Sequence, residues 1–149
     1  MTEQAQSYRR KVNNINKFIT LLNRAGISFG PMQLLTVAGR RSGEPRTFPI
    51  AVLDLSSGHY IVQAFPKAAW VANVRAAKTA QLKKGFRKRT VRLVELPVAE
   101  RPPVLREVVE SNGPSVGKRY VTTGLASSPT PDGVAAAAAR IAVFRVEDV

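Results

Sequence analysis

Cysteine is absent, and histidine occurs once, at position 59. The first absence excludes disulfides and thiolate metal centres; the second leaves too few imidazoles for a histidine-based zinc or iron site. Aromatic residues make up only 7% of the chain. The basic segments therefore lack the interleaved Phe and Tyr of single-strand nucleic-acid binders, and no nucleic-acid partner is expected. No apolar run approaches the roughly 18 residues of a membrane span. The start, MTEQAQSYRRKVNNINKF, has no apolar core of the kind a secretory signal needs, so a cytoplasmic protein is expected. Neither a G-x-G-x-x-G after a strand nor a G-x-x-x-x-G-K-[ST] is present, which removes the common dinucleotide and nucleotide loops. Paired carboxylates and a Ser-His-Asp set are missing too, so nothing supports hydrolysis.

Acids are also scarce. Ten Asp and Glu face 23 Lys and Arg, a net charge of +13. Between Arg40 and Arg92 there are 12 basic residues and only Glu44 and Asp54 as acids. A solvated surface would intersperse both signs, so this block points to an anionic ligand or surface.

The chain of 149 residues fits one domain, 1–149, with 44% apolar residues to build its core. Val12, Ile15, Ile19 and Leu22 recur at helical spacing among basic residues, which predicts an N-terminal amphipathic helix within 1–26. Such a helix either packs on the domain or lies on an anionic membrane as a peripheral anchor. Strands are predicted over 33–38, 46–55, 60–65, 79–84, 89–96 and 141–146, with hairpin turns at Ser56-Ser57-Gly58 and Gly85. An alanine-rich helix is predicted over 67–78 and another beyond Pro97, ended by Asn112-Gly113-Pro114. A short helix follows at 135–139. The stretch 111–133, rich in Pro, Ser, Thr and Gly, reads as a mobile loop around Tyr120. Hairpin-linked strands with inserted helices give an α+β, mainly β fold, a small antiparallel barrel with peripheral helices.

The densest chemistry lies in GlyArgArgSerGlyGluProArg, residues 39–46. Gly39 and Gly43 permit sharp bends that bring backbone N–H groups close to a ligand. Arg40, Arg41 and Arg46 offer planar forks that match phosphate or carboxylate, and Ser42 adds a hydroxyl. The pattern reads either as a phosphate clamp or as a charged hairpin tip.

LLTVAGRRSGEPRTFPIAV, followed by TyrIleValGlnAlaPhe and TrpValAlaAsnValArgAla, resembles the deazaflavin (coenzyme F420)-dependent nitroreductase family over about residues 30 to 96, and more loosely toward the C-terminus. The resemblance implies a split β-barrel of the flavin-reductase type and coenzyme F420 as cofactor, with flavin mononucleotide (FMN) the alternative. It implies hydride transfer to a small conjugated acceptor: a quinone, nitro compound or activated alkene. It places the cofactor phosphate on Arg41, Ser42 and Arg46, with Gly43 admitting the backbone. Pro49, Ala64 and Phe65 would lie near the ring, Trp70 and Asn73 would border the cofactor, and Arg75 would meet its acidic tail or solvent. The loop before the tryptophan is shortened to ProLysAlaAla, and Lys67 is the lysine it retains. A basic track of Lys67, Arg75, Lys78, Lys83 and Lys84 suits a polyglutamate tail. Tyr120 is the candidate proton donor, with solvent as its rival. A basic nucleic-acid-binding barrel and a non-catalytic cofactor carrier are the readings from other classes.

Overall fold

A computed structural model of the protein describes residues 32–149; the expected N-terminal helix lies outside the described residues. Seven antiparallel strands form one sheet: β1 (Met32–Ala38), β2 (Pro45–Ala51), β3 (Leu53–Leu55), β4 (Gly58–Val62), β5 (Thr79–Lys84), β6 (Arg87–Glu95) and β7 (Val143–Asp148). Their spatial order is β2-β1-β5-β6-β7-β4-β3. The two ends of that order are consecutive pieces of one segment, interrupted at Val52. Its first half pairs with β1 and its second with β4, so the sheet curls round on itself. The single strand expected over 46–55 is therefore two, because the chain turns a barrel corner at the buried Val52. Pro49 is tolerated opposite Leu34 because β2 ladders only with β1.

Alternation along the strands sorts the side chains. Leu35, Val37, Leu82, Val91, Ile61 and Phe144 point inward and form the barrel core, closed by Val71 and Val74 of helix α1 (Ala69–Ala77). A second core lies between β3, β4 and the later helices, α2 (Arg101–Asn112), α3 (Pro114–Thr122) and α4 (Pro131–Ala135). Pro102 and Pro103 sit in the first turn of α2, where their missing N–H groups cost nothing. The short helix expected over 135–139 is divided between the end of α4 and a 3₁₀ turn, Ala138–Arg140.

Two further expectations need correction. The strand expected to reach Phe65 ends at Val62. The Gln63 backbone N–H still donates to the Ala142 carbonyl (2.9 Å), and the buried side chain continues the bonding beyond it: Nε2 donates to the Phe65 carbonyl (2.8 Å) and Oε1 accepts from the Ala142 amide (3.0 Å). The segment 111–133 is not a loop around Tyr120, since 114–122 is helix α3. A Cβ on Gly117 would lie 1.9 Å from the Pro129 carbonyl oxygen, so the helix packs directly on the following chain. Composition suggests a loop because Pro and Gly commonly break helices, whereas Pro114 starts α3 and Gly117 permits its close packing.

An ion network staples the end of β6 to two helices. The Arg75 Nε and Nη2 donate to the two Glu95 carboxylate oxygens at 2.9 and 2.7 Å. Arg101, only 6% exposed, donates to Glu95 (3.0 Å) and to the carbonyls of Leu96, Ala138 and Ile141. The Arg75 hydrogen bonds hold the Glu95 carboxyl below its ordinary value, and the charges of Arg75 and Arg101 add to the effect. A depressed carboxylate stabilises the fold above its unfolded value and loses that contribution as pH falls through the folded one. Stability should thus drop as pH falls below about 4.5, the ordinary carboxylate value. Glu95→Gln is expected to lower stability at neutral pH and to shallow the acid limb, as read from melting temperatures between pH 3 and 7.

Candidate functional site

The β1–β2 connection is a tight loop closed by its own backbone. Gly39 N–H donates to the Glu44 carbonyl and Gly43 N–H to the Gly39 carbonyl, both at 2.8 Å. Gly43 adopts φ +74°, a conformation L side chains rarely adopt, with open space around it. The Ser42 hydroxyl accepts from the Glu44 N–H (3.1 Å), orienting it within the loop. The loop is anchored to α1 by Asn73, whose buried Oδ1 accepts from both the Arg40 backbone N–H (3.1 Å) and the Arg40 guanidinium (2.9 Å). The structure thus brings together two predicted cofactor residues, Arg40 and Asn73, but as partners of each other: Arg40 is spent on fixing the loop.

Arg41 and Arg46 are different. Both are exposed, and neither forms an ion pair with a described residue. Two permanently charged forks, a hydroxyl and a glycine-bent backbone, held rigid against a helix, form a donor-rich set suited to a phosphate.

Pro49 lies on β2, half-buried, while Ala64 and Phe65 occupy the segment that the Gln63 side chain holds. Gln63 escaped notice because a single glutamine carries no sequence signal of its burial. Pro66 and Lys67 turn the chain into α1, and Lys67 has φ +56°, a value a type II turn normally gives to glycine at its third position. Lys67→Gly is accordingly expected to hold or raise the melting temperature while removing the cation. A fall in cofactor affinity without loss of stability would place Lys67 at the ligand. Trp70 packs between Phe48 and Phe144, with ring centroids 6.2 and 5.6 Å away, and anchors α1 to the barrel.

Four expected contributors stand elsewhere. Arg75 pairs in two-pronged fashion with Glu95 and is not free for an acidic tail. Lys83 and Lys84 lie at the far end of the barrel: Leu34 pairs with Lys83 and Thr36 with Gln81, so β5 reaches the clamp loop at its Lys78 end. Of the expected basic track, Lys78 lies at the clamp end of β5. Tyr120 is 4% exposed, on α3 in the second core among Leu105, Val108 and Val134, and burial pushes its phenol well above its ordinary value. Among the described residues no group of three or more His, Cys, Asp or Glu could hold a metal, and no helix is long and apolar enough to cross a membrane.

Residues 2–126 match the F420H(2)-dependent quinone reductase family. The chain belongs to that family. It is an oxidoreductase whose cofactor is coenzyme F420 and whose acceptor is a small molecule. Solved structures share the reductase's fold. An F420-H2 dependent reductase, FDR-A, is 22% identical with a TM-score of 0.53, over 78% of this chain and 94% of its own. A structure described as a domain-swapped dimer is 20% identical, TM-score 0.56, over 95% and 98%. HutZ, a heme storage protein from Vibrio cholerae, is 10% identical, TM-score 0.55, over 89% of each. No curated protein matches the sequence. The expected split barrel is thus the observed fold, and the donor set of the clamp loop fits the phosphate of F420.

Proposed function

We propose that the reductase holds the phosphate of F420 on Arg41, Ser42 and Arg46 and reduces a quinone-like acceptor at the adjoining barrel wall. When bound, reduced F420 supplies a hydride from its C5 position. The protein's task is then to fix the ring, admit a flat acceptor and exclude water. The observation that carries this reading is the pair of guanidinium groups without acidic partners, on a loop immobilised by the Arg40–Asn73 link. Pro49, Ala64 and Phe65 border the ring in this reading, with Gln63 holding the Ala64–Phe65 backbone in place, and Lys67 and Lys78 add positive charge for the anionic end of the cofactor.

The proton that completes reduction comes from solvent. Tyr120 sits in a separate core with a raised pKa, which makes it a poor donor to a ligand at the clamp. The decisive experiment mixes the purified full chain with reduced F420 and follows reoxidation across quinones, nitroaromatics and enones, beside binding titrations of F420 and FMN. Turnover led by quinones, F420 bound more tightly than FMN, and activity retained in Tyr120→Phe are expected. Preference for FMN, or binding without turnover across the panel, would overturn the reading.

A further inference from the structure

The hairpin joining β5 and β6 carries a cluster that the cofactor site leaves unused. Its sequence is LysLysGlyPheArgLysArg, residues 83–89. In the ladder Lys83 stands directly opposite Lys88, and Lys84 directly opposite Arg87. Like charges facing each other across an antiparallel pair destabilise it. Of the five cations only Arg89 has an acidic partner among the described residues, Asp148 at 2.8 Å. The one other compensation among the described residues is at Lys83, whose ammonium lies 5.9 Å from the centre of the Phe86 ring. The alternation of strand side chains puts Lys83 and Lys88 on one face and Lys84 and Arg87 on the other. Both faces of the tip are therefore cationic.

Phe86 stands at the apex and is 78% exposed, the most exposed large apolar side chain among the described residues. Along β1 and β5 the tip lies about six residues, roughly 20 Å, from the clamp loop. The tip is thus too remote to serve the cofactor phosphate, and its charge needs another counterpart.

We propose that this hairpin docks the protein on an anionic lipid surface, with Phe86 entering the headgroup region and Lys83, Lys84, Arg87 and Lys88 meeting lipid phosphates. An aromatic apex ringed by cations suits an interface that is negative outside and apolar beneath. A nucleic acid would favour several aromatics spread along a strand face, where this tip has one. Lipid phosphates between the two strands would also relieve the cross-strand repulsion that the free protein carries.

The test is cosedimentation of the full chain with vesicles of phosphatidylcholine alone and of phosphatidylcholine with phosphatidylglycerol. Binding to the anionic vesicles only is expected, with Phe86→Ala weakening it about tenfold or more. Lys84→Glu with Arg87→Glu should weaken it about thirtyfold or more, from about fivefold per cation removed. Lys88→Glu supplies a readout that a merely structural tip would not: it faces Lys83, so it should weaken vesicle binding while raising the melting temperature by about 1 to 3 °C. Phe86→Trp should show a blue-shifted emission with anionic vesicles, over the signal of the parent's Trp70. The proposal is overturned if the parent ignores anionic vesicles, or if the hairpin variants bind them as the parent does. It is equally overturned if the parent binds random-sequence duplex DNA through the hairpin in preference to vesicles.

Discussion

Replacing Arg41 and Arg46 together with alanine is expected to weaken F420 binding by about 3 to 6 kcal/mol, roughly 10² to 10⁴-fold, with little change in folding stability. Each guanidinium that engages a phosphate oxygen contributes a charge-assisted hydrogen bond of about 1.5 to 3 kcal/mol. Neither arginine pays that interaction into the fold, since both are exposed and lack an ion pair with any described residue. The loop should survive, because Gly39, Gly43 and the Arg40–Asn73 link hold it without them. Arg40→Ala provides the contrast. It removes a loop anchor, so affinity should fall through misplacement of Arg41 and Ser42, and conservative replacement by lysine should restore it only in part. Isothermal titration with F420, beside thermal melts, separates these outcomes. An unchanged dissociation constant in the double variant would remove the loop from the cofactor site and leave family membership untouched.

Arg101→Met is expected to cost about 3 to 5 kcal/mol of stability. The guanidinium is buried and serves four acceptors: the Glu95 carboxylate and the carbonyls of Leu96, Ala138 and Ile141. Methionine fills similar volume but leaves the Leu96 and Ile141 carbonyls short of this donor, each costing about 1 to 3 kcal/mol where water cannot reach, while the Ala138 carbonyl keeps the Ile141 N–H. Glu95 keeps its pairing with Arg75 and is not orphaned. Arg75→Ala should therefore cost no more than about 1 kcal/mol, as for other exposed pairs. At about 2 to 4 °C per kcal/mol for a domain of this size, Arg101→Met should lower the melting temperature by roughly 10 °C, against a few degrees for Arg75→Ala. Equal shifts would mean that the buried network does not join α2 to the barrel as the geometry requires.

The two arginines show where sequence reading reaches its limit. Arg75 and Arg101 look alike along the chain, each a cation on an amphipathic helix. Arg75 was expected at the acidic tail or in solvent because it follows the tryptophan motif, whereas Glu95, twenty residues on, sits where β6 ends and claims it. The same long-range registry moved Lys83 and Lys84. They are near Lys78 in sequence, but β5 runs away from the clamp, so each residue along it adds about 3.3 Å of separation. Tyr120 illustrates a different limit: the Pro, Ser, Thr and Gly content of 111–133 suggests a loop, and only the packing of Gly117 against Pro129 explains a helix there.

Local pattern by itself determined most of the strands, though not the break at Val52 or the end at Val62, together with the two hairpin turns, α1 and α2, and the glycine-bent arginine loop, because alternation, capping and turn chemistry act over a few residues. The resemblance carried by that loop and the tryptophan motif was sufficient to name the family and its cofactor. Tertiary structure alone decided which cations stand free and which are consumed. Charge is a property of residues, but its availability depends on what the barrel brings within about 3 Å of it. Arg41 and Arg46 remain open to a ligand; Arg40, Arg75 and Arg101 are bound into the frame; and Lys83 to Lys88 stand at the opposite end, around an exposed phenylalanine.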